Sequence, residues 1–245
     1  MKNDWFKNWF ESDYYLQIYS HRNLSDANKL INLIFNNINL AQGANVLDAA
    51  CGPGRHSLIL SKKNLNVYGF DLSLNLLKIA KSSLSSENIQ FRLFRSDIRK
   101  VCLKKLFDAV FLLFTSFGYF ESDDENFLFP RKSYLLLKSN GYFIIDYFNE
   151  SFVKNNLVPK SIKKINGNAI SEERTLIDNT VVKKIEIMNG NRKKVFFEKV
   201  KLYDKNFIIE KFENIGFSAY KIFGNYEGDS FNKNESERLI IIFKK

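Results

Sequence analysis

Between Val46 and Ser57 the chain reads VLDAACGPGRHS: an apolar strand, an acid at Asp48, then Gly52 and Gly54 around a proline. Two glycines after a strand let a ligand approach the main chain, because no Cβ stands in the way. The ligands for such a loop are a dinucleotide, a phosphate or an adenosyl compound. A dinucleotide fingerprint wants a third glycine where this chain has Ser57, and it has no acid in place of Asp48.

The loop needs elements to position it, and the flanking pattern supplies them. Short apolar runs rich in Val, Ile or Phe fall at 45–50, 66–71, 89–94, 107–114 and 141–148 and read as strands. Between them, 57–63, 73–84 and 123–138 carry apolar residues at spacings of three and four, with Ser73 as an N-cap and Gly141 closing the third helix. Alternating strands and helices predict a parallel sheet covered on both faces, with ligands beyond the carboxyl ends of its strands. After residue 150 the segments SIKKI, AISEERTLI, VVKKIEIM and KKVFFEKVKLY alternate apolar with charged residues. Turn pairs at Asn166–Gly167, Asp178–Asn179 and Asn189–Gly190 separate them, which predicts an antiparallel meander. DKNFIIEKFENIGF then reads as a helix stopped at Gly216, and FSAYKIF and RLIIIF as two closing strands.

At 245 residues, 45% hydrophobic and 26% charged, the chain suits one globular domain without a disulfide framework. The two cysteines, Cys51 in the glycine loop and Cys102 in an apolar stretch, fit a reducing cytoplasm. The charged and aromatic start lacks the apolar run of a signal peptide, and no stretch is apolar for long enough to span a membrane. The net charge of +10 admits a polyanionic partner such as RNA, but 28 of the 37 basic residues are Lys, whereas readers of nucleic acid favour Arg. From Lys154 to Lys205, 13 basic residues face 6 acidic ones, so 13 − 6 = +7 of that charge lies on the meander. There the lysines are expected to alternate outward, with Lys183, Lys184, Lys193 and Lys194 near turns and strand edges.

The stretch from Val46 to Ser57 resembles motif I of class I S-adenosylmethionine-dependent methyltransferases, in which an acid four residues before the first glycine orders the loop. The resemblance covers most of the chain and is strongest from 44 to 148. It implies a Rossmann-like fold with a mostly parallel seven-stranded sheet, helices on both faces and the antiparallel meander as an insertion. Along the chain it implies an aromatic helical lid (1–40), a cofactor-binding core (41–150), the insertion (151–203) and a closing helix with strand hairpin (204–245). It places S-adenosylmethionine on Asp48, Ala50, Gly52 and Gly54. Asp71 would accept from two ribose hydroxyls, Leu72 would pack on the adenine, and Asp97 with Ile98 would meet the adenine edge. The rival reading of Asp97 is a helix N-cap. Asp71, as a strand-end acid, is expected to be exposed. Leu113 and Phe114, in LFTSFGYF, line the methyl-transfer site of that family, whereas the strand at 141–148 has Ser139 and Asn140 where the family carries Pro-Gly.

WFESDYYLQIYSHR looks like the lid of a bacterial subgroup that shares the GPGRHS loop and acts on small substrates. Trp5 and Trp9, Phe10 and Tyr14, and Tyr15 and Tyr19 are spaced to share helix faces. One reading is a docking stripe; the other has Tyr14, Tyr15 and Tyr19 cap the cofactor while Arg22 reaches its carboxylate. Methyl transfer from a sulfonium needs neither metal nor covalent nucleophile, and no Cys/His cluster has zinc spacing. A base is needed only for a protonated acceptor; the candidates are His21, Tyr119, Asp146 and Tyr147, each with a structural role as its rival. His56 reads as a first-turn helix residue. The expected partner is a small-molecule substrate, with no membrane. Three rivals stay open: an RNA-modifying methyltransferase, an NAD-binding oxidoreductase and a noncatalytic cofactor-binding module. Neither the Asp/Asn-Pro-Pro-Tyr of amino-group base methylation nor the cysteine of cytosine C5 enzymes occurs in LFTSFGY.

Overall fold

The computed structural model describes residues 4–20, 24–87, 89 and 92–245. In chain order its elements are α1 (Trp5–Phe10), α2 (Asp13–Ile18), α3 (Leu24–Phe35), β1 (Asn45–Ala49), α4 (Arg55–Lys62), β2 (Asn66–Asp71), α5 (Leu74–Ser86), β3 (Arg92–Arg95), β4 (Phe107–Leu112), α6 (Asp123–Leu136), β5 (Leu137–Phe148) and α7 (Glu150–Asn156). They continue with β6 (Lys160–Ile165), β7 (Asn168–Ile177), β8 (Thr180–Asn189), β9 (Arg192–Lys201), α8 (Lys205–Glu213), β10 (Ser218–Phe223) and β11 (Arg238–Lys244).

Seven strands form one sheet in the order β10-β11-β5-β4-β1-β2-β3. β3, β2, β1, β4 and β5 pair in parallel, while β11 runs antiparallel to β5 and β10 antiparallel to β11. The central strands are mostly apolar because both faces are covered there, and their period of two divides the core. Val46, Phe111, Ile144 and Ile240 face α3 and α4, where Leu30, Ile34 and Leu60 are buried. Leu47, Val110, Phe143 and Ile241 face the other way, onto Phe127 and Phe129 of α6 and Ile208 and Phe212 of α8. Phe212 stacks on Phe243 at 4.1 Å between ring centroids. Each such side chain contributes about 1.5–3 kcal/mol by leaving water.

Ser73 caps α5 by accepting from the Leu76 amide. The third helix ends differently from the expectation. α6 stops at Leu136 and passes directly into β5, so Gly141 lies inside a strand and closes no helix. A Cβ at Gly141 would stand 2.9 Å from the Lys138 carbonyl oxygen and 3.2 Å from that of Asp108, so close backbone approach is what calls for glycine there. The strand expected over 89–94 is β3 at Arg92–Arg95, with Gln90 and Phe91 outside the described residues.

The meander forms its own four-stranded antiparallel sheet, β6-β7-β8-β9. Asn166–Gly167 and Asp178–Asn179 turn with positive φ at both residues, and the third turn is Gly190–Asn191, one residue later than expected. α1 and α2 pack on the inner face of this sheet: Trp5, Phe6, Trp9 and Ile18 share an apolar cluster with Ile170, Ile185 and Ile187. The helix is interrupted at Glu11–Ser12, so Phe10 and Tyr14 sit on different helices. Among the described residues, no helix is long and apolar enough to cross a membrane.

Candidate functional site

At the carboxyl ends of β1, β2 and β4 a cavity of about 670 Å³ opens between the large sheet, the N-terminal helices and the meander. Its floor is the glycine loop. Ala50 and Gly52 take left-handed φ of 53° and 55°, and a Cβ on Gly52 would meet nothing nearer than Leu76 at 4.0 Å, so the space before it is open. Gly54 lies off the cavity wall. At φ 80° it sits at the N-cap of α4, where a Cβ would come within 2.9 Å of Ala80 Cβ, so this glycine serves the packing of α4 on α5.

Two carboxylates hold the loop. Asp48 is buried and accepts from the Ser57 hydroxyl at 2.6 Å, which gives Ser57 a role that a glycine could not fill. Burial pushes the Asp48 carboxyl up to about 7, against the Ser57 bond, which favours ionisation. Asp71 is 7% exposed, against the expectation of an exposed strand end. Its two oxygens accept from the Gly52 and Ser73 amides, both at 2.8 Å, and burial raises its carboxyl despite those bonds. Each oxygen keeps a second lone pair for a hydroxyl.

Asp97 and Ile98 lie on the same wall with Leu72. Burial opposes ionisation of Asp97, yet hydrogen bonds and charge from Arg99 hold its carboxyl below the usual range. Arg99 Nη2 lies 2.7 Å from Asp97 and Nη1 3.0 Å from Glu125, and the guanidinium covers the Phe120 ring at 4.4 Å. Asp97 also accepts from the Arg99 amide at 2.9 Å, but only a turn at 98–100 follows it, so it caps no helix, contrary to that expectation. Leu113, Phe114 and Tyr119 complete this side, and Phe114 and Thr115 both hold φ of 60°.

The remaining candidates divide. Tyr15 and Tyr19 are on the cavity wall, whereas Tyr14 stands off it, packing toward Phe196 at 6.3 Å under Lys194. Asp146 and Tyr147 are fully buried and off the wall, which removes both as bases. Asp146 pairs with Arg238 at 2.7 Å and accepts from the Phe114 amide at 3.0 Å, so it braces the strained Phe114–Thr115 backbone. Tyr147 donates to the Lys201 carbonyl, and burial raises its phenol far above the ordinary value. His21 and Arg22 lie outside the described residues. His56 stands in the first turn of α4 on the cavity wall, where burial and then Arg55 lower it to about 3 and leave the imidazole neutral. Burial, then Asp48 and Asp71, push the Cys51 thiol up.

The charged inner face of the cavity roof went unread in the sequence. Lys183 is 8% exposed and points inward, contrary to the outward placement expected for it. Its Nζ lies 3.0 Å from Glu172 and 3.5 Å from Glu198, and it donates to the Tyr19 hydroxyl at 2.8 Å. Tyr19 and the Trp9 indole both donate to Glu198 at 2.6 Å, which ties the N-terminal helices to β9. Strand parity carried the signal: Ile170 and Ile185 fix the inner face of β7 and β8, and Glu172, Arg174 and Lys183 share it. Lys184 and Lys193 do lie outside, both paired with Glu186.

The wall fits a ligand with hydrogen-bonding edges. Trp5 Nε1 is buried there without a hydrogen-bond partner, a donor that a ligand nitrogen or oxygen would satisfy. With the open approach at Gly52 and the spare acceptors of Asp71, that fits an adenosyl compound.

Comparison with known proteins bears on the same region. Residues 46–141 match the methyltransferase domain family. A protein of Geobacillus sp. (strain WCH70) is 30% identical over 106 residues, so the match spans 43% of this chain and 43% of the relative. The glycine/sarcosine N-methyltransferase of Aphanothece halophytica is 24% identical over 204 residues, 82% of this chain and 76% of its own. The crystal structure of an S-adenosylmethionine-dependent methyltransferase from Clostridium acetobutylicum superposes with a TM-score of 0.80 at 20% identity, over 94% of this chain and 95% of the other.

Proposed function

We propose that this methyltransferase-domain enzyme transfers the methyl group of S-adenosylmethionine to a small-molecule acceptor held beneath the meander. The enzyme class and the cofactor follow from the matched domain and the fold. The small-molecule acceptor rests on one observation: the glycine loop, the TSFGY loop, the aromatic helices and the meander converge on a single cavity of about 670 Å³, the size range of pockets for small ligands. The GPGRHS loop and aromatic N-terminal helices agree with the bacterial subgroup that acts on such substrates. Two unpaired cysteines suit a cytoplasmic protein.

In this reading Asp71 accepts from the ribose hydroxyls and Asp97 and Ile98 meet the adenine edge. Gly52 lets the methionine portion lie against backbone. Tyr15 and Tyr19 close the cavity from above, and Leu113, Phe114 and Tyr119 border the reacting atoms. When bound, S-adenosylmethionine supplies a methyl group already activated by its sulfonium. The chain's part is then to exclude water and keep the acceptor in line, which the aromatic wall and the braced Phe114–Thr115 turn do. Of the four candidate bases, Tyr119 is the one on the wall among the described residues.

Several of the meander's basic residues are turned onto its inner face or held by neighbouring acids, Lys163, Arg174 and Lys183 around Glu172 and Lys201 at Asp123, and so are not part of an open basic surface. That favours a small acceptor over an RNA. Incubation with methyl-labelled S-adenosylmethionine, total RNA and a metabolite extract tests this. Label is expected in the low-molecular-weight fraction, and label in RNA would refute the small-molecule acceptor.

A further inference from the structure

The charges on the cavity roof do not cancel. Around Glu172 stand three cations on the inner face of the meander: Arg174 Nη2 at 2.6 Å, Lys183 Nζ at 3.0 Å and Lys163 Nζ at 3.3 Å. Glu198 adds one further negative charge, 3.5 Å from Lys183. Both carboxylates are otherwise engaged, Glu172 by the Ser161 hydroxyl at 3.1 Å and Glu198 by Trp9 and Tyr19. Three cations against two anions leave a formal charge of +1 facing the cavity. Burial alone would raise Glu172, yet Lys183, Lys163 and Arg174 hold it down at about 2, so the cluster keeps both signs of charge at neutral pH.

The surplus has a definite place. The Lys183 side chain is 10% exposed and has three partners in Glu172, Glu198 and Tyr19. Lys163 and Arg174 line the cavity with 33% and 21% of their side chains exposed. Arg174 also donates through Nη1 to Ser161 Oγ at 3.1 Å, which fixes the plane of its guanidinium. At the glycine-loop end of the cavity Asp48 and Asp71 stand with Arg55, whose guanidinium carries the opposite charge.

We propose that the methyl acceptor carries an anionic group, a carboxylate or a phosphate, that binds Lys163 and Arg174 on the roof of the cavity. The proposal rests on the methyl-transfer reading above and names the chemistry of the acceptor for that site. An anion there cancels the uncompensated charge and receives two charge-assisted donors in a water-poor cavity, where such bonds are strong. A neutral isostere would leave the surplus charge of the cluster uncompensated. With the anion held at the roof, the nucleophilic atom of the acceptor lies toward Leu113, Phe114 and Tyr119, which border the reacting atoms in that reading.

The test uses acetate, inorganic phosphate and neutral acetamide as probes of the full-length protein, by calorimetry or ligand-observed NMR at low ionic strength. It is run with and without saturating S-adenosylhomocysteine. Acetate or phosphate is expected to bind and acetamide to bind at least about tenfold more weakly, and the preferred anion identifies the group. Lys163→Gln is expected to weaken anion binding by about tenfold or more, and Arg174→Lys, which keeps the charge on Glu172, by less. Cofactor-product affinity should stay at the wild-type value in both variants. Equal binding of acetamide, wild-type acetate affinity in Lys163→Gln, or no anion binding up to about 100 mM overturns the proposal. If the anion binds through Lys163 but S-adenosylhomocysteine does not bind, the methyl-transfer reading fails and the anion site stands.

Discussion

Replacing Asp71 with alanine should damage two properties at once, because its carboxylate serves both the loop and the ligand. In the folded chain it accepts from the Gly52 and Ser73 amides, each at 2.8 Å, at a position 7% exposed. Removal leaves two poorly solvated N–H groups without acceptors, at about 1–3 kcal/mol each. The loop borders a cavity, so water can reach part of it, and the expected loss is about 2–4 kcal/mol in the free protein. Loss of the charge-assisted bonds to the ribose should weaken S-adenosylhomocysteine binding by about 1.5–3 kcal/mol, or roughly 10- to 150-fold. Asp71→Asn retains one acceptor oxygen and should fall between wild type and Asp71→Ala in both respects. Urea unfolding of the free protein and titration calorimetry separate the two effects. Wild-type affinity in Asp71→Ala would place the ribose elsewhere, and wild-type stability would show that the two amide bonds do not hold the loop.

Four further substitutions follow the same geometry. The Asp48 carboxyl, at about 7 in the folded protein and about 4 unfolded, binds a proton more tightly when folded, so its contribution to stability declines as pH rises from about 4 to about 7. Asp48→Asn should remove that slope, about 2.5 kcal/mol between pH 5 and pH 8, when urea midpoints at the two pH values are compared with wild type; an unchanged slope would refute the shift. Gly54→Ala forces φ 80° on alanine and drives its Cβ to 2.9 Å from Ala80, so it should cost about 2–4 kcal/mol of stability. Gly52→Ala, with open space before it, should cost about 1–2 kcal/mol and act mainly on cofactor affinity; the reverse order of the two stabilities would contradict this assignment. Asp146→Ala strands Arg238 and frees the Phe114 amide, for an expected loss of about 3–5 kcal/mol in thermal or urea unfolding; a loss below about 1 kcal/mol would show that the pair braces nothing.

The large sheet could be read from the chain because both its faces are covered: runs such as NVYGFD and FDAVFLL have no polar side to disguise them. Ser73 and the Asn166–Gly167 turn were legible because cap and turn chemistry is local. The end of α6 was not, because pairing of Leu137 with Phe107 starts β5 there and no residue type marks that change. The floor of the site follows from the glycine loop, whereas the roof depends on which way the meander folds back. Lys183 looks like a surface lysine until the parity of Ile185 and Ile187 puts it on the inner face beside Glu172. Asp146 and Tyr147 stand at a strand end where a ligand could meet them, but β11 pairs alongside and Arg238 and Lys201 claim their polar atoms.

The central claim is that this glycine loop holds an adenosyl sulfonium and no dinucleotide. Titration of the full chain with S-adenosylmethionine, S-adenosylhomocysteine and NAD, followed by melting temperature and calorimetry, tests it most directly. The account predicts saturable binding of the first two, with a melting temperature that rises with their concentration by mass action, and no shift with NAD. Equal stabilisation by NAD, or none by either adenosyl compound, would contradict it.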